Sequence, residues 1–272
     1  MTSNKRVALD ARKGNLVLIG GAEDRRDAKW VLRSLVEEHK VSRIAIIPTA
    51  TLYPGECSDD YYYAFRDLGV SDIEIFDIRE SRDACKSEYL GKLERVQMVF
   101  FTGGDQVRLT RILLRSPLIE RIKERFHYDG LHIAGTSAGA AAAANPMTFD
   151  GDEHGLIKGT VKFTEGFGFL ENITIDTHFV ARGRLARLTQ FLCHGYTHRG
   201  IGIGEDTSIT ITPDQLMRVT GNGITTLVST EQVQYSNFNQ ITNGEKISIE
   251  GVKLAFLQHG SVFDLKTWTV VE

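Results

Sequence analysis

Short apolar runs alternate with amphipathic segments over roughly the first 140 residues of the chain. Strands are predicted for LVLIG (16–20), RIAIIP (43–48), IEIFDI (73–78), VQMVFF (96–101) and LHIAG (131–135). Helical spacing occurs between them in DAKWVLRSLVEEH (27–39) and QVRLTRILLRS (106–116). Short, nearly all-apolar strands separated by helices are typical of a parallel sheet covered on both faces. The pattern therefore predicts a three-layer α/β fold with a mostly parallel sheet flanked by helices.

The last third of the chain has a different pattern. From Gly200 onward the runs IGIG, SITIT, LMRVT and ITTLVS are short and rich in Ile, Val and Thr, and turn residues such as GNG (221–223) separate them. This pattern predicts a β-rich, antiparallel extension. Because no linker or repeat separates the two regions, we expect one domain over 1–272 with its β-rich part at 211–272. A discrete C-terminal module is the alternative.

Composition narrows the class of protein. Hydrophobic residues make up 42% and charged residues 25% of the chain, which excludes disorder of the whole. The net charge of −3 gives no global basic field, so we expect no nucleic-acid partner. No apolar run reaches the roughly 18 residues of a membrane span, and the N-terminus lacks a signal-peptide pattern, so no membrane partner is expected. Cys57, Cys85 and Cys193 are odd in number and far apart, which favours a reducing, cytoplasmic setting.

The segment LHIAGTSAGAAAAA (131–144) is the most informative in the chain. A predicted strand enters Gly135-Thr136-Ser137-Ala138-Gly139, and an alanine-rich helix follows, so GxSxG stands in a strand–turn–helix context. A side chain at the apex of a strained turn needs small neighbours on either side. The pattern predicts Ser137 as a nucleophile and the Ala138 amide as an oxyanion donor. The alternative is a glycine-rich turn with an N-capping serine.

A second glycine loop, VFFTGGDQ (99–106), also ends a predicted strand. Sites in open α/β sheets form beyond the carboxyl ends of the strands, so both loops are expected to face one crevice. The Gly103 or Gly104 amide is then a candidate second oxyanion donor. The alternative is a turn before an N-capping Asp105.

His178 is the candidate base for the serine. It follows the strand-like ITIDT (173–177) and precedes a predicted helix (183–198), so it lies at a strand end. Arg182, Arg184 and Arg187 lie near the start of that helix, where the helix dipole disfavours cations. They are interpreted as a clamp for substrate carboxylates or as a solvated basic face.

Two other groups of side chains bear on the site. The segment FDGDEHG (149–155) contains three candidates for the acid that orients the histidine, Asp150, Asp152 and Glu153. The alternative is a solvated acidic loop. The residue pattern alone does not distinguish among the three acids. His194 and His198 are four residues apart, which could place two metal ligands on one helix face. No acid or cysteine completes such a site, so no metal is predicted.

Five segments together resemble the cyanophycinases, serine peptidases related to dipeptidase E: GGAED (20–24), GGDQ (103–106), GTSAGA (135–140), DTHF..RGRLARL (176–188) and GIGEDTS (202–208). The resemblance spans about residues 14–210, taken as the peptidase core. It implies a class I glutamine-amidotransferase-like scaffold, no cofactor, and a homodimer. It also implies Ser137 as nucleophile and His178 as base, with the acid in 150–153, where Glu153 is favoured. Residues implied in substrate binding are Gln106, Asp176, Thr177, Arg182, Arg184 and Arg187.

The implied reaction is hydrolysis of cyanophycin, a polyaspartate with arginine on each side-chain carboxyl, to β-aspartyl-arginine dipeptides. Pocket arginines would bind the carboxylates, while Glu23, Asp24 or Asp176 would bind the guanidinium groups. The sequence departs from the family pattern at two places, and both make the precise substrate less certain than the reaction class. The family commonly has Gln where Thr177 stands, and it has larger apolar residues where this chain has an alanine run after Gly139. The alternatives are an aspartyl dipeptidase and a pseudo-peptidase that only binds peptides. An amidotransferase is disfavoured because the turn holds Ser rather than Cys.

Overall fold

The computed structural model describes residues 13–151 and 155–271. In chain order its α-helices are α1 (Trp30–Glu38), α2 (Pro54–Asp67), α3 (Ser87–Leu93), α4 (Gln106–Leu113), α5 (Pro117–Tyr128), α6 (Ala138–Ala142) and α7 (Leu185–Leu192). One 3-10 turn covers Asp83–Cys85 in the described part of the chain. Strands of the parallel core region are β1 (Leu16–Ile19), β2 (Arg43–Ile47), β3 (Asp72–Ile75), β4 (Met98–Phe101) and β5 (His132–Thr136).

The remaining strands follow the α6 segment. They are β6 (Ala144–Asn145), β7 (Met147–Asp150), β8 (Lys162–Thr164), β9 (Leu170–Glu171), β10 (Ile173–Asp176), β11 (Arg199–Ile203), β12 (Thr207–Ile211), β13 (Leu216–Gly221), β14 (Thr225–Ser229), β15 (Tyr235–Ser236), β16 (Ile249–Glu250), β17 (Lys253–Leu257), β18 (Val262–Asp264) and β19 (Thr269–Val271).

The main sheet joins the two regions that the sequence pattern distinguishes. Its strand order is β19–β18–β13–β12–β1–β5–β4–β2–β3. The neighbours from β1 to β3 pair in parallel, whereas β12 pairs antiparallel with β1 and leads into antiparallel β13, β18 and β19. The predicted parallel sheet with an antiparallel C-terminal extension is therefore confirmed.

Successive side chains of each strand point to opposite faces of this sheet, so the hydrophobic core has one part on each face. Val17 and Ile19 of β1 pack with α1 and α2, through residues such as Leu32 and Phe65. Leu16 and Leu18 lie on the opposite face, with helices α3 to α6. These buried apolar positions explain why the strands read as near-continuous hydrophobic runs.

A smaller sheet packs beside the main one and has the order β10–β11–β14–β17. β10 and β11 pair in parallel, with Asp176 opposite Gly202. One face of this sheet contributes Ile175 and Ile201 to the larger core, and the other contacts α7 through residues such as Val228 and Leu188. Because β11 is followed almost directly by β12, the chain passes from the small sheet to the main sheet at residues 204–206.

One predicted boundary is wrong. The sequence predicts a helix over 183–198, whereas α7 ends at Leu192. Gly195 has a φ of 76°, a left-handed conformation that favours glycine, and the chain turns there to enter β11.

The described residues include no helix long and apolar enough to cross a membrane. All three cysteines are unpaired.

His132 is a half-buried histidine on β5. Its Nδ1 accepts a hydrogen bond from the Asn15 backbone N–H at 3.0 Å, and its ring meets that of His39 edge-on at a centroid distance of 4.9 Å. Burial lowers the pKa of His132 to about 4, and the neighbouring His39 adds to the effect. The fold therefore requires the neutral imidazole, because protonation of Nδ1 removes its acceptor lone pair.

We predict that stability falls as pH drops from about 6.5 toward about 4, because the unfolded chain then binds protons that the folded chain excludes. His132→Asn keeps a hydrogen-bond acceptor but cannot titrate, so it should flatten the pH dependence of the free energy of unfolding. The slope should persist in part, since His39 also has a lowered pKa through burial. Urea denaturation at several pH values measures this. The exposed His259→Asn is the control, and an unchanged slope in His132→Asn would contradict the prediction.

Candidate active site

Ser137 stands at the turn between β5 and α6. Its backbone has φ 49° and ψ −108°, a strained conformation for a residue with a side chain. The two flanking glycines are dictated by space, because a β-carbon on Gly135 would lie 2.6 Å from the Gly139 carbonyl carbon. One on Gly139 would lie 2.3 Å from the Phe101 carbonyl oxygen. The GxSxG pattern is thus a requirement of close packing around the turn.

His178 lies directly against this serine. The Ser137 hydroxyl and His178 Nε2 are 2.9 Å apart. His178 follows β10, and its φ of 49° and the bond from its N–H to the Gly20 carbonyl, at 2.8 Å, fix the loop. The two residues that the sequence proposes as nucleophile and base are therefore within hydrogen-bond reach.

Glu205 is the carboxylate that contacts the other ring nitrogen. His178 Nδ1 lies 2.6 Å from Glu205 Oε1. A carboxylate at this position holds the proton on Nδ1, so Nε2 is left as the acceptor for the Ser137 hydroxyl. Glu205 follows β11 just as His178 follows β10, so adjacent parallel strands deliver both side chains.

Glu205 is not among the acids predicted from the sequence, which all lie between Ser137 and His178 along the chain. The signal was present in GIGEDTS, where a carboxylate directly follows a predicted strand. Of the three acids considered, Asp150 pairs with Lys162 at 2.9 Å, with both side chains largely exposed. Asp152 and the favoured Glu153 lie outside the described residues.

At Gly21 the loop after β1 passes close to the ring of His178. The φ of Gly21 is 96°, and a β-carbon there would lie 2.4 Å from His178 Cε1 and Nε2. The Gly21 carbonyl accepts a hydrogen bond from the Asp206 N–H at 3.0 Å. The loop after β1 therefore contacts the imidazole directly. It also holds Glu205 in place indirectly, through the hydrogen bond from the neighbouring Asp206.

Ser137 and His178 open onto a cavity of about 330 Å³. The lining also includes Ala22, Glu23, Arg25, Thr51, Cys57, Tyr61, Gly103, Gly104 and Thr136. A β-carbon on Gly103 would lie 3.4 Å from that of Ser137, so the second glycine loop lies beside Ser137. Asp105 caps α4 by accepting from the Val107 N–H at 2.8 Å, so the capping interpretation of that residue also holds.

Four of the six predicted substrate-binding residues are buried next to the His178 loop, outside the lining of the cavity. Asp176 is almost fully buried and accepts two hydrogen bonds from Arg187, at 2.9 and 2.5 Å. The Arg184 guanidinium donates to the Thr177 carbonyl at 2.8 Å and lies 3.4 Å from Asp176. These contacts tie α7 to the loop that carries His178, and none of these four residues belongs to the cavity lining.

The other two predicted residues are more accessible. Arg182 is exposed at the turn after His178, and its backbone N–H donates to the His178 carbonyl at 3.0 Å. Gln106 is half-buried, and its side-chain amide donates to the Thr148 carbonyl at 3.2 Å.

The expected guanidinium ligands are engaged with protein donors. Asp24 accepts hydrogen bonds from the backbone N–H groups of Arg26, Asp27 and Lys29, which lower its pKa to about 2. Asp176 is paired with Arg187, and Glu23 accepts from two hydroxyl groups.

His194 packs against aromatic rings, with Phe238 at a centroid distance of 4.9 Å. Across residues 13–151 and 155–271, no group of three or more His, Cys, Asp or Glu side chains could hold a metal ion.

A strained serine, an imidazole and a carboxylate at the carboxyl ends of strands in an α/β fold define a hydrolase of the serine type. The sequence profile of Peptidase family S51 matches residues 16–219. The chain belongs to peptidase family S51, and it is a serine-type peptidase.

Its curated relatives include proteins named cyanophycinase. The one from Geminocystis herdmanii is 31% identical over 258 residues, with 94% of this chain and 95% of the relative covered. The one from Trichormus variabilis is 33% identical over 264 residues, with 96% and 89% covered. The predicted resemblance is therefore confirmed.

Two solved structures share the fold. A peptidase from an acI-B1 Actinobacterium has a TM-score of 0.64 at 20% identity, with 94% of this chain and 98% of that chain covered. A putative peptidase E protein from Listeria monocytogenes EGD-e has a TM-score of 0.54 at 18% identity, with 77% and 99% covered.

We predict that Gly21→Ala strongly lowers the reactivity of Ser137 without unfolding the protein. The added methyl group would occupy the volume of the His178 ring, and the left-handed φ adds strain. Displacement of a catalytic ring by about 1 Å costs on the order of 100-fold in rate. The second-order rate of labelling by a fluorophosphonate measures the effect.

The control is Gly91→Ala, an exposed helical glycine with open space around its Cα. This variant should label at the wild-type rate and be as stable or slightly more stable, since alanine is the better helix former. Wild-type labelling in Gly21→Ala would show that the imidazole does not depend on this approach.

Proposed function

We propose that this protein is a serine exopeptidase that hydrolyses cyanophycin to β-aspartyl-arginine dipeptides. The observation that carries the proposal is the hydrogen-bonded chain from Ser137 Oγ through His178 to Glu205, with distances of 2.9 and 2.6 Å. The substrate class is supported by cyanophycinase relatives that align with nearly the whole chain.

The proposed reaction proceeds through a covalent ester. His178 Nε2 takes the proton of the Ser137 hydroxyl as the oxygen attacks an aspartyl backbone carbonyl. Glu205 stabilises the imidazolium through Nδ1–H and keeps the ring oriented. His178 then gives the proton to the leaving amine, and it activates the water that hydrolyses the ester.

The backbone amides of Ala138 and Gly104 are the proposed oxyanion donors. Ala138 follows the nucleophile at the start of α6, and the Gly103–Gly104 loop lies against Ser137. Amides fixed in this way stabilise the developing charge without reorganisation during the reaction.

Substrate carboxylates are proposed to contact accessible arginines. Arg25 lines the Ser137 cavity and is held 3.1 Å from Asp60, with its guanidinium over the Tyr61 ring at 5.2 Å. Arg182 and Gln106 are proposed to contact more distant parts of the polymer. Asp176, Thr177, Arg184 and Arg187 are proposed to support the His178 loop, as their burial favours.

We further propose that the chain acts as one catalytic domain, in the cytoplasm and as a homodimer. The single domain is supported by β12 and β13, which continue the main sheet from β1. Unpaired cysteines are compatible with a reducing compartment. The edge strands β17 and β19 expose Phe256 and Val270, apolar side chains that a second copy could cover.

We predict that Glu205→Gln lowers kcat on the order of 1,000-fold or more, because a neutral amide no longer holds the required tautomer of His178. Substrate binding should change little, which steady-state kinetics would show as a nearly constant KM. The matched control is Glu231→Gln, which removes an acid paired with Arg199 at 2.9 Å. Glu153→Gln tests the acid that the family resemblance favours. Loss of activity in Glu153→Gln with retention in Glu205→Gln would contradict the proposed role of Glu205.

We predict that purified cyanophycin incubated with the protein yields β-aspartyl-arginine, identified by mass spectrometry. Ser137→Ala should release no dipeptide yet still bind the polymer. Hydrolysis of Asp-X dipeptides without cleavage of cyanophycin would instead favour an aspartyl dipeptidase. Turnover by Ser137→Ala would contradict the assignment of the nucleophile.

A further inference from the structure

A buried carboxylate links the nucleophile turn to a helix on the far side of the loop. Glu23 is only 5% exposed. Its Oε2 accepts a hydrogen bond from the Thr136 hydroxyl at 2.6 Å, and its Oε1 accepts one from the Tyr61 hydroxyl. The contact therefore connects the loop after β1, the end of β5 and the middle of α2.

The position of Thr136 gives this link its importance. Thr136 is the last residue of β5 and is bonded covalently to Ser137, whose backbone is held in a strained conformation. Such a conformation persists only where the surroundings over-determine it. The short Thr136–Glu23 hydrogen bond lies one residue from this conformation, so it is well placed to hold the turn.

The far end of the link is equally fixed. Tyr61 is buried among aromatic rings, with Phe100 at a centroid distance of 4.8 Å. Burial, and then the nearby Glu23 carboxylate, raise the pKa of the Tyr61 hydroxyl well above its usual value. Tyr61 therefore stays protonated and remains a hydrogen-bond donor.

Glu23 also lines the cavity, so a role as ligand for a substrate cation is the competing interpretation. Each of its oxygens already receives a hydroxyl donor from a buried neighbour, and these contacts direct the carboxylate toward the turn and α2. We propose that Glu23 is a positioning residue, which holds Ser137 in its attacking conformation through the Thr136 hydroxyl. This inference rests on the proposed nucleophilic role of Ser137.

Thr136→Val tests the link because it removes the hydroxyl and keeps the branched shape. We expect the labelling rate of Ser137 by a fluorophosphonate, and kcat, to fall about tenfold or more, with KM within about twofold. Thr136→Ser restores the hydroxyl and should recover most of the rate. The control is Thr197→Val, which removes a buried hydroxyl bonded to Thr174 at 3.0 Å in the small sheet. It should alter Tm without changing the labelling rate of the folded protein.

The outcomes distinguish failure of the positioning role of Glu23 from failure of the proposed nucleophilic role of Ser137. If folded Thr136→Val labels at the wild-type rate, the positioning role is overturned while Ser137 remains the nucleophile. If Glu23→Gln raises KM at least about tenfold and leaves the labelling rate unchanged, Glu23 is a substrate ligand and the proposal is likewise overturned. If the wild-type protein is not labelled at Ser137, the proposed function itself fails.

Discussion

The close approach of backbone to imidazole at Gly21 is the constraint on which the candidate active site depends. Ser137 on the main sheet and His178 on the small sheet can meet only if the loop after β1 leaves room between them. Gly20 accepts the His178 N–H, and Gly21 has no side chain where the ring lies. Gly21 thus makes room for His178, just as Gly135 and Gly139 make room for the turn that carries Ser137.

Around that contact, the two sheets supply different chemical parts. The main sheet carries Ser137 and the glycine loop beside it, whereas the small sheet carries His178 and Glu205 on adjacent parallel strands. Buried polar groups then fix each part in place: Glu23 lies beneath the turn of the serine, and Asp176 with Arg187 lies behind the histidine. Fully hydrogen-bonded networks of this kind rigidify the side chains they contact.

The local features of the fold and site could be predicted from the sequence, because strand period and glycine spacing are local properties. The runs 16–20 and 131–135, the GxSxG turn and the position of His178 after a strand were all accessible in this way. Which side chains contact each other in the folded protein is not a local property, so these contacts could not be predicted in the same way. Arginine at positions 184 and 187 indicates substrate contacts, which stay a prediction. The hydrogen bonds from Arg187 to the buried Asp176 are revealed only by three-dimensional proximity. The contact of Glu205 with His178 was missed although GIGEDTS carries a local signal, because the order of residues along the chain does not show which acid lies next to the histidine in space.

The crossing of the chain at residues 204–206 has a consequence for the site. His178 and Glu205 follow neighbouring strands of the small sheet, whereas Ser137 follows a strand of the main sheet. The 2.6 Å contact between the imidazole and the carboxylate therefore lies within one layer, and the 2.9 Å contact with the serine hydroxyl spans two layers. In the proposed reaction, proton transfer from Ser137 is the step whose geometry depends on how the two sheets are aligned.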